Sequence, residues 1–248
     1  MRALRSYWET SRAPRYSLLF ALPLLLAYQV LAALLAAPAS ADPRGALRNG
    51  ADVILETLFI TLAGRFGPLV FMTCIIGAGL WLVARDMRAH GRRLSSGVFA
   101  GMTAEAAALG VACGFVVGGL TSQVVGPPAL IGAAQIESLG LGTRLMLSLG
   151  AGLYEELLFR VVLVAALAWT GRIVFGWRPL MAGMWAVLVG AFLFSAAHYA
   201  GPYGDPLTLY SFVFRMVAGV FFSALYLLRG FGITAWTHAL YDAFLLVT

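Results

Sequence analysis

The chain has 248 residues, of which 61% are apolar and only 11% charged, and its net charge is +6. Its mean hydropathy is +0.87. Soluble domains carry about 45–50% apolar and about 25% charged residues, so these values exclude a water-soluble globule and a disordered chain and leave a multi-pass membrane protein. All 17 basic residues are arginine, and most of them flank apolar runs, which reads as an orientation signal and not as a nucleic-acid surface.

A bilayer core about 30 Å thick needs about 20 apolar residues in a helix. Seven runs qualify, over residues 17–37, 66–84, 97–121, 143–170, 179–200, 208–228 and 231–247. The stretch from Asp52 to Gly64 is too short to cross and suggests an interfacial or re-entrant helix, with an eighth span as the alternative. The expected fold is therefore all-α, a polytopic transmembrane bundle of seven to eight spans forming one integral membrane domain over residues 1–248. The first run is preceded by arginines and followed by Ala39-Ser40-Ala41, which imitates a cleavable secretion signal. Its length exceeds the usual 7–15 residues, which favours a retained anchor.

Arg2, Arg5, Arg12, Arg15, Arg85, Arg88, Arg92, Arg93, Arg172, Arg178 and Arg229 fall on one side of such a bundle. Arg44, Arg48, Arg65 and Arg144 fall on the other. The positive-inside rule then places the N-terminus in the cytoplasm and the C-terminus outside the cell membrane. Gly110, Gly114 and Gly118 make a small-residue stripe suited to close helix packing. Cys74 and Cys113 lie inside apolar runs and read as small buried hydrophobes without a disulfide.

The fourth run contains Leu-Tyr-Glu-Glu-Leu-Leu-Phe-Arg around Glu155, Glu156 and Arg160. Three mid-helix charges cost about 7–10 kcal/mol, whereas the twelve Leu, Val and Phe residues between Leu145 and Leu167 return about 5 kcal/mol. These side chains must face partners or water inside the bundle, which marks a functional site. Glu156 and Arg160, four apart, share a helix face and can pair, which leaves Glu155 free. The fifth run ends with Phe194 and His198 four apart, and the seventh carries His238 and Asp242 on one face.

A carboxylate and a histidine in a low-dielectric cavity can position and deprotonate water, and a second histidine can stabilise the oxyanion formed when that water attacks an amide. A single stabilising ion network is the structural alternative. A proton relay in a transporter is another, although the chain shows no paired hydropathy repeats. Arg215, inside the sixth run, is expected to pair with Glu156 or Asp242 or to meet a substrate carboxylate. Glu105 lies either in the same cavity or at the inner interface.

These three motifs resemble those of the CPBP family of intramembrane proteases, which includes CAAX prenyl endopeptidases and bacterial relatives tied to bacteriocin handling and C-terminal sorting. The family pattern is E-E-x-x-x-R, F-x-x-x-H and H-x-x-x-N, met here by Glu155 to Arg160, Phe194 to His198 and His238 to Asp242, within residues 143–247. The resemblance implies a glutamate-type intramembrane endopeptidase. Glu155 would be the base, His198 would orient the water, Glu156 and Arg160 would support the cavity, and His238 with Asp242 would serve the oxyanion. No obligatory cofactor is expected. If zinc were used, Glu155, His198, His238 and Asp242 would be its donors, although no H-E-x-x-H pair is present. Asp242 departs from the family asparagine, and an ionised carboxylate cannot donate to an oxyanion. It must either stay protonated or hold His238 as an imidazolium.

The expected partners are a peptide or protein substrate at the membrane and the lipid bilayer, with no nucleic acid. A topology that opens the site outward suits secreted or membrane-anchored substrates, as in myxosortase-like sorting. The rival reading is a non-catalytic immunity or scaffold protein of the same fold.

Overall fold

A computed structural model describes residues 2–36, 47–127, 139–201 and 204–245 of the chain. The signal-like Ala39-Ser40-Ala41 and Arg44 lie outside these residues. The described residues are helical, with no strand among them. In order, the elements are α1 (Arg2–Arg12), α2 (Pro14–Leu35), α3 (Gly50–Ala63), a 3₁₀ turn (Gly64–Phe66), α4 (Gly67–His90) and α5 (Ser96–Val125). A continuous rod follows, made of α6 (Leu141–Gly150), a π-helical segment (Ala151–Val164) and α7 (Ala165–Ile173). The chain then forms α8 (Pro179–Ala197), α9 (Leu209–Arg229) and α10 (Phe231–Leu245). This is a multi-pass membrane protein.

Five helical segments among the described residues are long and apolar enough to cross a membrane: Pro14–Leu35, Gly50–His90, Ser96–Val125, Pro179–Ala197 and Leu209–Arg229. Of the expected seventh span, over 231–247, the structure describes residues 231–245. Helix α10 has 15 residues, about 22 Å of rise against a core of about 30 Å.

Helices α2 and α4 run antiparallel, with Arg15 bonded to Asp86 at 2.8 Å near one end and Gln29 to the Met72 sulfur at 3.7 Å near the other. That register sets the start of α4, Gly67, level with about residue 34 of α2. At its own start, α3 is held to Tyr28, whose hydroxyl donates to Asp52 at 2.7 Å. The two ends of α3 are thus about 9 Å apart in height, although 14 residues make about 21 Å of helix. Helix α3 therefore runs obliquely to α2 and α4. Gly67 allows the turn back, because a Cβ there would lie 2.4 Å from the Ile60 nitrogen.

Polar contacts gather the arginine-bearing termini at one end. Arg15 meets Asp86, the Ser95 amide donates to Tyr16, and the Gly232 amide donates to Ser17. Arg229 meets Glu105 at 2.5 Å and Ser11 at 2.8 Å. Ser195 Oγ donates to the Phe212 carbonyl at the turn from α8 to α9, so α8 begins at the arginine end, beside Arg172 and Arg178, and finishes at the opposite one. Glu105 therefore lies far from the Glu155 cluster and is neutralised by Arg229 and by Tyr7, which donates at 2.7 Å.

Of the glycine stripe, Gly110 and Gly114 face α10, where a Cβ would meet Thr237 O at 3.3 Å and the Tyr241 ring at 3.7 Å. Gly118 has nothing within 4 Å. Both cysteines are free, but only Cys113 is buried. Cys74 is exposed on the apolar surface of α4, since the run that contains it turns only a narrow face inward.

Candidate active site

The site is built where the π-helical segment, α8 and α10 meet, and close helix approach makes it. Gly152 touches α10 so tightly that a Cβ would lie 2.3 Å from the Ala235 carbonyl and 2.7 Å from the Ala239 Cβ. One turn further along each element, His238 Nδ1–H donates to Glu156 Oε1 at 2.7 Å. The same Glu156 oxygen lies 3.2 Å from Arg160 NH1. The expected Glu156–Arg160 pair is present, and Glu156 carries a second duty that the spacing did not reveal.

Glu155 Oε2 stands 4.0 Å from His198 Nε2. His198 Nδ1 lies 2.8 Å from the Phe194 carbonyl, which can only accept, so Nδ1 carries a proton, and when the ring is neutral Nε2 faces Glu155 with a lone pair. The other oxygen, Glu155 Oε1, accepts from Asn49 Nδ2 at 2.9 Å. His238 Nε2 lies 3.6 Å from Asp242 Oδ2. That distance is longer than a hydrogen bond, so the firm hold on His238 belongs to Glu156 and not to Asp242, where the sequence placed it.

Burial divides these groups in two. Glu156 and Arg160 are sealed, at 0 and 1% side-chain exposure, and His238 keeps 6%. Glu155, His198 and Asp242 are open, at 13, 27 and 29%. Aromatic rings line the sealed part. Phe222 stacks on His238 at 4.3 Å and 18°, and the Arg160 guanidinium lies 4.4 Å from the Phe194 ring centre and 5.6 Å from that of Phe222. Phe194 meets His198 edge-on at 4.9 Å, as their spacing predicted.

Arg215 does not pair with Glu156 or Asp242. It bonds Asp205 in the segment before α9 and donates to the Tyr199 hydroxyl at 3.0 Å. Among the described residues no three histidine, cysteine, aspartate or glutamate side chains converge as a metal site. The four donors named for zinc are split between two pairs.

Sequence reasoning missed Asn49 and Phe222. Asn49 caps α3 by accepting the Ala51 amide at 2.9 Å, and an asparagine ahead of an apolar helix signals a cap. Nothing local signals that it reaches Glu155, 106 positions away. Phe222 is one of many phenylalanines in an apolar run, and only the tertiary structure singles it out.

Residues 138–244 match the model of the family described as Type II CAAX prenyl endopeptidase Rce1-like. No curated protein and no solved structure matched the chain.

Proposed function

Because the chain carries a domain of the Rce1-like type II CAAX prenyl endopeptidase family over residues 138–244, an intramembrane protease family, we propose that it is a glutamate-type endopeptidase cutting membrane-associated or secreted proteins. The observation that carries this reading is the 4.0 Å gap between Glu155 Oε2 and His198 Nε2. Both atoms are acceptors and cannot bond each other. One water lying about 2.8 Å from each can donate a proton to both.

In this mechanism Glu155 takes one proton of that water as the oxygen attacks the substrate carbonyl carbon. The carbonyl becomes an oxyanion, and His238, whose Nδ1–H is committed to Glu156, works here as the imidazolium and offers its second proton, on Nε2, from the mouth side. The tetrahedral intermediate then collapses, the C–N bond breaks, and the proton held by Glu155 passes to the leaving nitrogen. The second water proton, left on the new carboxyl group, passes to the leaving nitrogen as well, so a carboxylate and an ammonium group leave and Glu155 is again ionised. Arg160 and Glu156 keep the His238 ring in register, while Asp242 at 3.6 Å bears on the charge of its Nε2 side.

The open groups sit toward the end opposite the arginine cluster. Under the positive-inside rule that end faces away from the cytoplasm, with the N-terminus inside the cell membrane and the C-terminus outside. Such a site suits trimming of exported or anchored proteins, including C-terminal sorting signals, better than a cytosolic prenylated tail.

The test compares membrane and secreted peptides by mass spectrometry between cells carrying the wild-type chain and cells carrying Glu155→Ala. New termini that vanish in the variant are expected. Identical termini, with the variant protein present at wild-type level, refute the proposal and leave a non-catalytic role.

A further inference from the structure

Asn49 lies in the half of the chain outside the matched region, yet its side chain ends on the proposed base. Its amide orientation follows from chemistry. The Ala51 N–H can only donate, so the atom 2.9 Å from it is Oδ1, and Nδ2 is left to point at Glu155 Oε1. Serine, threonine and aspartate cap a helix about as well as asparagine. Of these four side chains, only asparagine also carries an N–H donor.

The seat beneath it is equally specific. Gly150 begins the approach, since a Cβ there would fall 2.7 Å from the Asn49 Cβ and 2.6 Å from the Tyr28 ring. The Asn49 backbone N–H donates to the Tyr28 hydroxyl at 3.2 Å, and that hydroxyl donates to Asp52 at 2.7 Å. Arg48 Nε completes the chain by donating to the same Asp52 oxygen at 2.7 Å and is 29% exposed, whereas Asp52 is fully buried. An ion pair at the start of α3 thereby locks the residue that touches Glu155.

We infer that Asn49 is a positioning residue of the catalytic glutamate: it pins Oε1 of Glu155 so that Oε2 alone faces His198. The inference rests on the proposed proteolysis and adds that α3 is part of the machinery. A carboxylate held at one oxygen cannot rotate its second oxygen away from the 4.0 Å gap in which the water is activated. Releasing it lets both oxygens turn toward the open mouth, which lowers the fraction of molecules poised for attack without weakening substrate binding.

Asn49→Ser and Asn49→Asp both keep an acceptor for the cap; aspartate has no donor, and the serine hydroxyl, one bond shorter from Cβ, is drawn back to the cap and out of reach of Glu155. With a synthetic peptide spanning a cleavage site found in the Glu155→Ala comparison, Asn49→Ser lowers kcat by on the order of 10- to 100-fold while KM stays within about twofold. Asn49→Asp, which sets a like charge beside Glu155, lowers kcat further. A purely capping role predicts near-wild-type kcat for both, and kcat within about threefold of wild type in Asn49→Ser overturns the inference. A second measurement separates this outcome from failure of the protease reading. Thermal unfolding in detergent should show Asn49→Ser lowering the midpoint in the wild-type background and not in the Glu155→Ala background. Equal shifts in the two backgrounds overturn the contact itself, whether or not a substrate is cut.

Discussion

Gly152→Ala adds a single methyl group to a helix interior, where alanine is normally favoured, and is nonetheless expected to be among the most damaging small substitutions in the chain. The new Cβ would lie 2.3 Å from the Ala235 carbonyl and 2.8 Å from the Ala239 nitrogen, both backbone atoms of α10 that cannot swing aside. Restoring an ordinary contact requires the π-helical segment and α10 to part by about 1 Å. The 2.7 Å bond from His238 to Glu156 sits next to this point, and about 1 Å more carries it beyond hydrogen-bond range. Overpacking of this kind costs roughly 1–3 kcal/mol, or a midpoint drop of roughly 2–12 °C for a chain this size. A 1 Å displacement of a catalytic group costs on the order of 10²-fold in rate. The assay is purified protein in detergent, followed by thermal unfolding and by cleavage of the identified peptide. Gly183→Ala serves as the control, because a Cβ there has nothing within 4 Å, and it should be neutral or stabilising by up to about 1 kcal/mol. A Gly152→Ala protein with wild-type midpoint and wild-type kcat would refute the reasoning.

Asp242→Asn should change kcat by less than about tenfold, because Glu156 at 2.7 Å holds His238 while Asp242 stands off at 3.6 Å; a loss above about 100-fold would give the carboxylate an essential part. Arg229→Ala strips a half-buried Glu105 of its cation at the opposite end of the bundle and leaves it only the bond from Tyr7; it should cost about 1–3 kcal/mol in unfolding experiments, while the folded fraction keeps its KM. Burial, then the bond to Glu105, pushes the Tyr7 hydroxyl up to about 12 from 10.0. Between those values the folded chain keeps a proton that the unfolded chain loses, so stability falls as pH rises from about 10 to 12. Tyr7→Phe should flatten that slope in midpoints measured across the window.

The parts of the site legible in the sequence are those that break a rule of their surroundings. Glu155, Glu156 and Arg160 are conspicuous because charge is expensive in an apolar run, and Phe194 to His198 and His238 to Asp242 follow from helical spacing. Arg15 and Arg229 meet at one end of the bundle, as the boundaries of the apolar runs implied. Pairs beyond a single helix turn were not legible. Arg215 finds Asp205 and Arg229 finds Glu105 only because particular helix ends lie side by side. Asn49 escaped for the same reason, since a local capping signal accounts for it completely until α3 is laid against the π-helical segment. The shortness of α3 was legible as a run too brief to cross, whereas its packing against Tyr28 and Gly150 was not.

The energetic argument that first marked the site also shows where its cost resides. Three charges in one apolar helix left a deficit of several kcal/mol by insertion energies. Glu155 is relieved by Asn49 and by its open position, and Glu156 by two partners on a single oxygen. Arg160 keeps the remainder. It is sealed, its guanidinium nitrogens make no hydrogen bond among the described residues, and its cover is the faces of Phe194 and Phe222. Two desolvated cation–π contacts return about 2 kcal/mol each, less than well-placed hydrogen bonds to a carboxylate would. A buried ion pair is commonly matched or bettered in stability by apolar side chains of the same volume, so stability alone does not explain Arg160. Its position beside Glu156 does, because an ionised Glu156 accepts from His238 Nδ1 and thereby turns Nε2 toward the mouth. The least comfortable residue of the bundle is the one that stands behind the contact by which Glu156 orients His238, the orientation the proposed mechanism uses.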